Sequence, residues 1–66
     1  MAGQIKRMLD HIVTERGKGN DALAMITKAK LILKGLDPDR FTLATPDDAA
    51  TMARIRQIAR ELGVTL

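Results

Sequence analysis

Apolar residues recur at helical spacing in three stretches of this chain, and glycine and proline separate the stretches. The interruptions are Gly17-Lys18-Gly19-Asn20, Gly35-Leu36-Asp37-Pro38 and Thr45-Pro46. Because an amphipathic helix repeats its apolar positions every three or four residues, the pattern predicts helices over about residues 3–16, 21–34 and 46–62.

The first and third predicted helices each carry one apolar stripe. On the first helix, the stripe consists of Ile5, Met8, Leu9, Ile12 and Val13. On the third helix, it consists of Met52, Ile55, Ile58, Ala59 and Leu62. Helices enclose a common core by turning such stripes toward one another, so we expect both stripes to be buried.

The second predicted helix is apolar on two sides. At about 100° per residue, one arc holds Ala22, Met25, Ile26, Ala29, Ile32 and Leu33, and we expect this larger arc to be buried. A smaller apolar surface on the opposite side holds Leu23, Ala24, Thr27 and Leu31. Either the connection from Phe41 to Leu43 folds over this smaller surface, or the surface is available to another chain.

Capping residues mark both ends of the second helix. Asn20 is a favoured N-cap residue, and Gly35 can adopt the left-handed conformation that ends a helix, with Leu36 making the accompanying apolar contact. Gly17 is expected to end the first helix in the same left-handed way. The loop from Gly17 to Asn20 either joins two antiparallel helices tightly or offers free amides to an anion, and we favour the tight connection.

The segment between the second and third helices carries two further capping patterns. Asp37 and Pro38 predict a turn or a single helical turn, because proline at the first helical position has no N–H to leave unpaired. Phe41 and Leu43 are expected to pin this connection to the body of the protein. Thr45 is the predicted N-cap of the third helix, with Pro46 at its first position and Asp47-Asp48 in its first turn.

These patterns predict an all-α fold, a compact three-helix bundle that forms one small domain over residues 1–66. A chain of 66 residues is marginally stable alone. Its sequence has no cysteine for disulfides or thiolate zinc sites, and Phe41 is its one aromatic residue. The core must therefore consist of aliphatic side chains and methionine, or a partner must contribute.

Positive charge permits binding to nucleic acid. Eleven Lys and Arg residues against eight Asp and Glu give a net charge of +3 and a pI near 9.8. The candidate basic residues on the second and third helices are Lys28, Lys30, Arg54, Arg56 and Arg60. The interval of about ten residues between these helices is, however, too long for the turn of a helix-turn-helix.

Catalytic and metal-binding candidates are few. His11 and Glu15 lie one helical turn apart and form either a pair of metal ligands, a proton-transfer pair or an ordinary pair of surface neighbours. A catalytic zinc needs three protein ligands, and general catalysis needs a shaped cavity. We therefore expect no catalytic residues, no metal and no cofactor.

The expected function is that of a non-enzymatic protein–protein interaction or regulatory module. The partner would be another protein or a second copy of the chain, and the smaller apolar surface of the second helix is the candidate site. The opening residues lack the apolar stretch of a signal peptide, and no run approaches a membrane span, so a cytoplasmic location without membrane binding is expected. A small basic nucleic-acid-binding protein is the alternative.

Overall fold

The computed structural model describes residues 2–66, which form an all-α fold of three helices. The helices are α1 (Gln4–Arg16), α2 (Asp21–Leu33) and α3 (Ala49–Glu61), and a single 3₁₀-helical turn, Pro38–Arg40, lies between α2 and α3. The predicted fold class and the predicted turn are confirmed. The bounds of α1 and α2 differ from the predicted ones by one residue, whereas α3 begins three residues later than predicted.

The first helix is the centre of the packing. It contacts both α2 and α3, whereas no α-carbon of α2 comes within 8 Å of an α-carbon of α3. The 3₁₀-helical turn packs against α1 and α2. Since α1 is the one α-helix whose backbone comes close to α2, a single narrow stripe of buried side chains on α2 is sufficient.

The predicted apolar stripes of α1 and α3 are confirmed as core. Buried residues of these two helices are Ile5, Leu9, Ile12, Ile55, Ile58 and Ala59, and Met8, Val13, Met52 and Leu62 are partly buried against them. Phe41 also packs against this cluster, as predicted. Leu43 does not, since 60% of its surface is exposed. The prediction that it pins the connection to the body is therefore wrong.

The predicted orientation of α2 is wrong. Leu31 is fully buried at 0% exposure, and Thr27 retains only 2%, whereas the larger apolar arc faces solvent. Thr27 tolerates burial because its hydroxyl donates a hydrogen bond to the carbonyl oxygen of Leu23 at 2.8 Å, so no polar group is left unpaired. Of the two alternatives for the smaller apolar surface, burial within the chain therefore holds for Thr27 and Leu31, which complete the core.

The start of α2 is held against α1 by a close approach at Gly17. A Cβ atom at this position would lie 2.4 Å from the Ala24 Cβ and 2.9 Å from the Ala24 Cα. Ala24 therefore faces α1, and Thr27 and Leu31, one and two turns further along, face it too. Gly17 has a φ of −94°, so its predicted left-handed conformation is wrong. Glycine is required there for space.

The end of α2 fixes the same rotation. The N–H of Leu36 donates to the Leu31 carbonyl at 2.8 Å, and the N–H of Gly35 donates to the Ile32 carbonyl at 3.0 Å. Together with the φ of +78° at Gly35, these bonds form the Schellman motif that the sequence predicted. Leu36 and Leu31 both belong to the buried cluster. The helix ending therefore turns Leu31 inward.

The predicted N-cap of α3 is also wrong. Asp48 caps this helix by accepting the N–H groups of Ala50 and Thr51 at 3.3 Å each. Thr45 instead accepts the N–H of Thr42 through its hydroxyl at 2.8 Å, and its carbonyl oxygen accepts the N–H of Gly3. Residues 45–47 lie along the start of α1 and are not part of α3.

The carboxylate of Asp47 explains this arrangement. Its Oδ1 accepts the N–H of Gln4 at 3.1 Å, at the beginning of α1, where Gly3 has no side chain with which to cap. A negative charge at a helix N-terminus satisfies a free amide and complements the helix dipole. Asp47 therefore stabilises α1 rather than the first turn of α3.

Candidate interaction surface on the second helix

Six apolar residues cover the solvent-facing side of α2. They are Ala22, Met25, Ile26, Ala29, Ile32 and Leu33, and all are exposed; we call them the apolar face of α2. The exposed fractions of the four large side chains are 73% for Met25, 50% for Ile26, 46% for Ile32 and 86% for Leu33. Large exposed apolar patches mark interaction sites on soluble proteins, so the apolar face of α2 is the candidate site.

The sequence-predicted site lies mostly inside the protein. Thr27 and Leu31 are core residues, Ala24 is half-buried against Gly17, and Leu23 is 41% exposed beside the buried stripe. The structure therefore does not bring these four residues together as an accessible surface. The apolar face of α2 contains none of them.

Sequence reasoning missed this face because it assigned burial by counting apolar residues on each arc. A better signal was present in the predicted helix ending. In a Schellman motif, the residue after the left-handed glycine contacts the residue five positions earlier, which here pairs Leu36 with Leu31. If Leu36 is buried, Leu31 must point inward, and the opposite arc must point outward.

One edge of the apolar face carries opposite charges at its two ends. Asp21 stands at the N-terminal end of α2, and neither an ion pair nor a hydrogen bond engages its carboxylate in residues 2–66. At the other end, Ile32, Gly35, Asp37 and Arg40 line an open recess of about 280 Å³. The Arg40 guanidinium likewise has no partner within the described part of the chain.

Lys28 is tied to the 3₁₀-helical turn. Its ammonium group donates to the Asp39 carboxylate at 2.6 Å. This hydrogen bond raises the pKa of Lys28 and holds the pKa of Asp39 below its ordinary value. The ion pair connects α2 to the 3₁₀-helical turn, so the Lys28 ammonium already has a carboxylate partner within the chain.

The other basic residues named from the sequence lie in separate places. Arg54 donates to the carbonyl oxygen of Lys34 at 2.8 Å, just after the end of α2. Arg56 and Arg60 line an open groove of about 580 Å³ between α1, α3 and the C-terminal residues. Lys30 is exposed on α2. The structure thus divides the basic residues among several surfaces and does not join them in one stripe.

His11 and Glu15 engage different partners. The Nε2 atom of His11 lies 3.1 Å from the carbonyl oxygen of Thr65, and the carboxylate of Glu15 lies 3.7 Å from the Lys18 ammonium. Across residues 2–66, no three side chains among His, Asp and Glu gather closely enough to hold a metal ion.

None of the helices described here has the combination of length and hydropathy that crossing a bilayer requires. No protein-family model, curated protein or solved structure matches the chain.

Proposed function

We propose that this protein is a non-enzymatic interaction or regulatory module that binds another polypeptide through the apolar face of α2. The observation that carries the proposal is the exposure of Met25, Ile26, Ile32 and Leu33 on one side of a single helix. A helix recognises such a face with its own apolar side chains at three- and four-residue intervals. The expected ligand is therefore the apolar side of an amphipathic helix.

The exposed area sets the strength of the interaction. Complete burial of a large aliphatic side chain contributes roughly 1.5–3 kcal/mol. Scaled by the four exposed fractions, burial of the face contributes about 4–8 kcal/mol from this chain, and the partner's side chains contribute as well. Association itself costs about 4–15 kcal/mol. Because this cost offsets most of the gain, the resulting complexes are weak, with dissociation constants between about 1 µM and 1 mM, and they form reversibly.

A cytoplasmic location is part of this proposal. The absence of cysteine from the sequence supports it, because small domains in oxidising compartments commonly depend on disulfides.

Affinity purification from the producing cells tests the proposal. Tagged wild-type protein is compared with the double variant Ile26→Asp, Leu33→Asp and with the control Arg56→Ala, Arg60→Ala, which leaves the face intact. Proteins bound to the wild type should be retained by the control and lost from the face variant. Equal recovery by all three proteins would refute the proposed role of α2.

Nucleic-acid binding is a second candidate, and one observation favours it. Arg56 and Arg60 lie one turn apart on α3, and neither guanidinium has an ion-pair partner within residues 2–66. Phosphate binding through them would release counterions and weaken with salt. Titration of duplex DNA and RNA at about 50 mM and 200 mM salt tests this, with the variant Arg56→Ala, Arg60→Ala as control. Absence of binding at the lower salt concentration excludes it.

A further inference from the structure

We propose that the partner of the apolar face of α2 is a second copy of this chain, bound so that the two α2 helices pack antiparallel and cross at Ala29. The inference rests on the proposed function and names the occupant of the same surface. The repeat of the face, the position of its small residues and the charges along its edge support this pairing.

The apolar face repeats every seven residues. Ala22, Met25 and Ile26 form one unit, and Ala29, Ile32 and Leu33 form the next at identical spacing. A seven-residue apolar repeat is the pattern by which two helices remain in contact along their length. Both units are exposed, so the repeat is not needed for the core of the monomer.

The small residues lie at the centre of the face. At about 100° per residue, Ala22 and Ala29 occupy its midline, with Met25 and Ile32 on one side and Ile26 and Leu33 on the other. Small side chains at the point of crossing allow two helices to approach closely, and the larger side chains then pack on both sides. The face therefore has the shape of one half of a symmetric interface.

Antiparallel pairing about a twofold axis at Ala29 matches this face with itself. A twofold axis keeps each side of the face opposite the same side in the partner. Met25 then meets the partner's Ile32, and Ile26 meets the partner's Leu33. Each of these contacts occurs twice, and Ala29 faces its own copy at the centre.

Charge complementarity favours the antiparallel direction. Asp21 and the recess that contains Arg40 lie at opposite ends of the edge that also carries Ile32. Antiparallel pairing brings Asp21 toward the partner's Arg40 at both ends, whereas parallel pairing places like charges together. Asp37 also lines the recess, but it forms no ion pair with Arg40 within residues 2–66, and its Oδ1 accepts the N–H of Asp39 at 3.0 Å.

The size of the face makes this a weak dimer. Six side chains from each copy form a smaller interface than the roughly 20–30 residues a side of a standard complex. We therefore expect a monomer–dimer equilibrium that is visible between about 1 µM and 1 mM. A chain of this size also gains stability when a partner covers exposed apolar surface.

Sedimentation equilibrium over that concentration range tests self-association. The wild type should dimerise, and Leu33→Asp should raise the dissociation constant at least about tenfold, because an aspartate cannot be buried unpaired in the interface. Leu43→Asp is the matched control, since Leu43 is an exposed leucine outside the face, and it should behave as the wild type. A wild type that stays monomeric throughout refutes the dimer.

Single cysteines test the direction and the register, because the sequence contains no other thiol. Ala29→Cys should form an intermolecular disulfide readily under mild oxidation. Ala22→Cys should not, since antiparallel crossing at Ala29 separates the two copies of position 22 by about 21 Å, beyond the roughly 7 Å limit for a disulfide. Equal cross-linking of both variants would indicate parallel pairing and would overturn the arrangement.

The two proposals fail separately. A monomeric wild type without cross-linking of Ala29→Cys removes the second copy as the partner. The proposed function still stands in that case if Ile26→Asp, Leu33→Asp abolishes the recovery of a different protein from cells. If Ile26→Asp, Leu33→Asp changes neither the sedimentation equilibrium nor the set of proteins recovered from cells, both proposals are wrong.

Discussion

Two leucines on α2 offer a direct test of which side of this helix supports the fold. Leu31 is fully buried in the core and Leu33 is almost fully exposed, although they are two residues apart on the same helix. Truncation of each to alanine removes the same atoms in the same secondary structure. Any difference between Leu31→Ala and Leu33→Ala in the free energy of unfolding therefore measures their tertiary environment.

The two truncations should differ several-fold. Replacement of a buried leucine by alanine costs about 2–5 kcal/mol, whereas a substitution at an exposed position typically changes stability by no more than about 0.5 kcal/mol. A chain of 66 residues has a total stability of roughly 3–10 kcal/mol. Leu31→Ala should therefore remove a large part of it and lower Tm by at least about 10 °C.

Urea unfolding followed by circular dichroism at 222 nm provides the assay. The protein is kept at about 1 µM, the low end of the range proposed for dimerisation, so that pairing through Leu33 contributes little to its stability. The urea midpoint should fall for Leu31→Ala and stay near the wild-type value for Leu33→Ala. If Leu33→Ala is the more destabilising change, the larger arc of α2 is the buried one, and the orientation described here is wrong.

Three further outcomes follow from the helix junctions and caps. Gly17→Ala should cost about 1–3 kcal/mol by overpacking, and its cost should be smaller in an Ala24→Gly background than in the wild type. An equal cost in both backgrounds would mean that the side chain of Ala24 does not meet residue 17. Asn20→Ala should lower the free energy of unfolding by about 1 kcal/mol, because it removes the cap of α2. Asn20→Asp keeps a capping oxygen and should have a Tm near that of the wild type. If both variants lose the same stability, Asn20 does not cap the helix. Hydrogen bonds from the Thr51 hydroxyl and the first amides of α3 hold the pKa of Asp48 below its ordinary value. The ionised Asp48 therefore stabilises the folded protein above about pH 4. This stabilisation is lost as the pH falls through the lowered pKa. Asp48→Asn should flatten the dependence of Tm on pH between about 2 and 5, and an unchanged acid dependence would show that this cap does not titrate.

The proposed interaction through α2 would bury aliphatic side chains that the fold leaves exposed. The fold buries few large side chains, yet several large aliphatic residues remain exposed on one helix. Exposed aliphatic surface lowers solubility unless a partner covers it. The proposed partner would cover this surface by burying the apolar face of α2.

Local patterns in the sequence were sufficient for the elements of the fold. The apolar spacing on α1 and α3 identified their buried stripes, because each helix has only one apolar side. Asn20, Gly35 and Asp37 marked helix ends correctly, because capping is a contact between residues close in the chain. The fold class follows from these local features.

The cap of α3 could not be assigned in this way. Asp47 and Asp48 both follow a proline and both suit a helix N-terminus, so the sequence does not distinguish their roles. The choice is made by a contact of Asp47 with Gln4, 43 positions away along the chain. Only the tertiary structure brings the start of α1 beside the start of α3.

By itself, the sequence determined that α2 is a helix, where it begins and ends, and that it is apolar on two sides. Only the tertiary structure decided which side is buried. Helical periodicity gives the angles between side chains but not the rotation of the helix against its neighbours. That rotation is set by the close approach of Ala24 to Gly17 and by the packing of Leu36 and Leu31 in the core. These two contacts place the larger apolar face in solvent, where a partner can reach it.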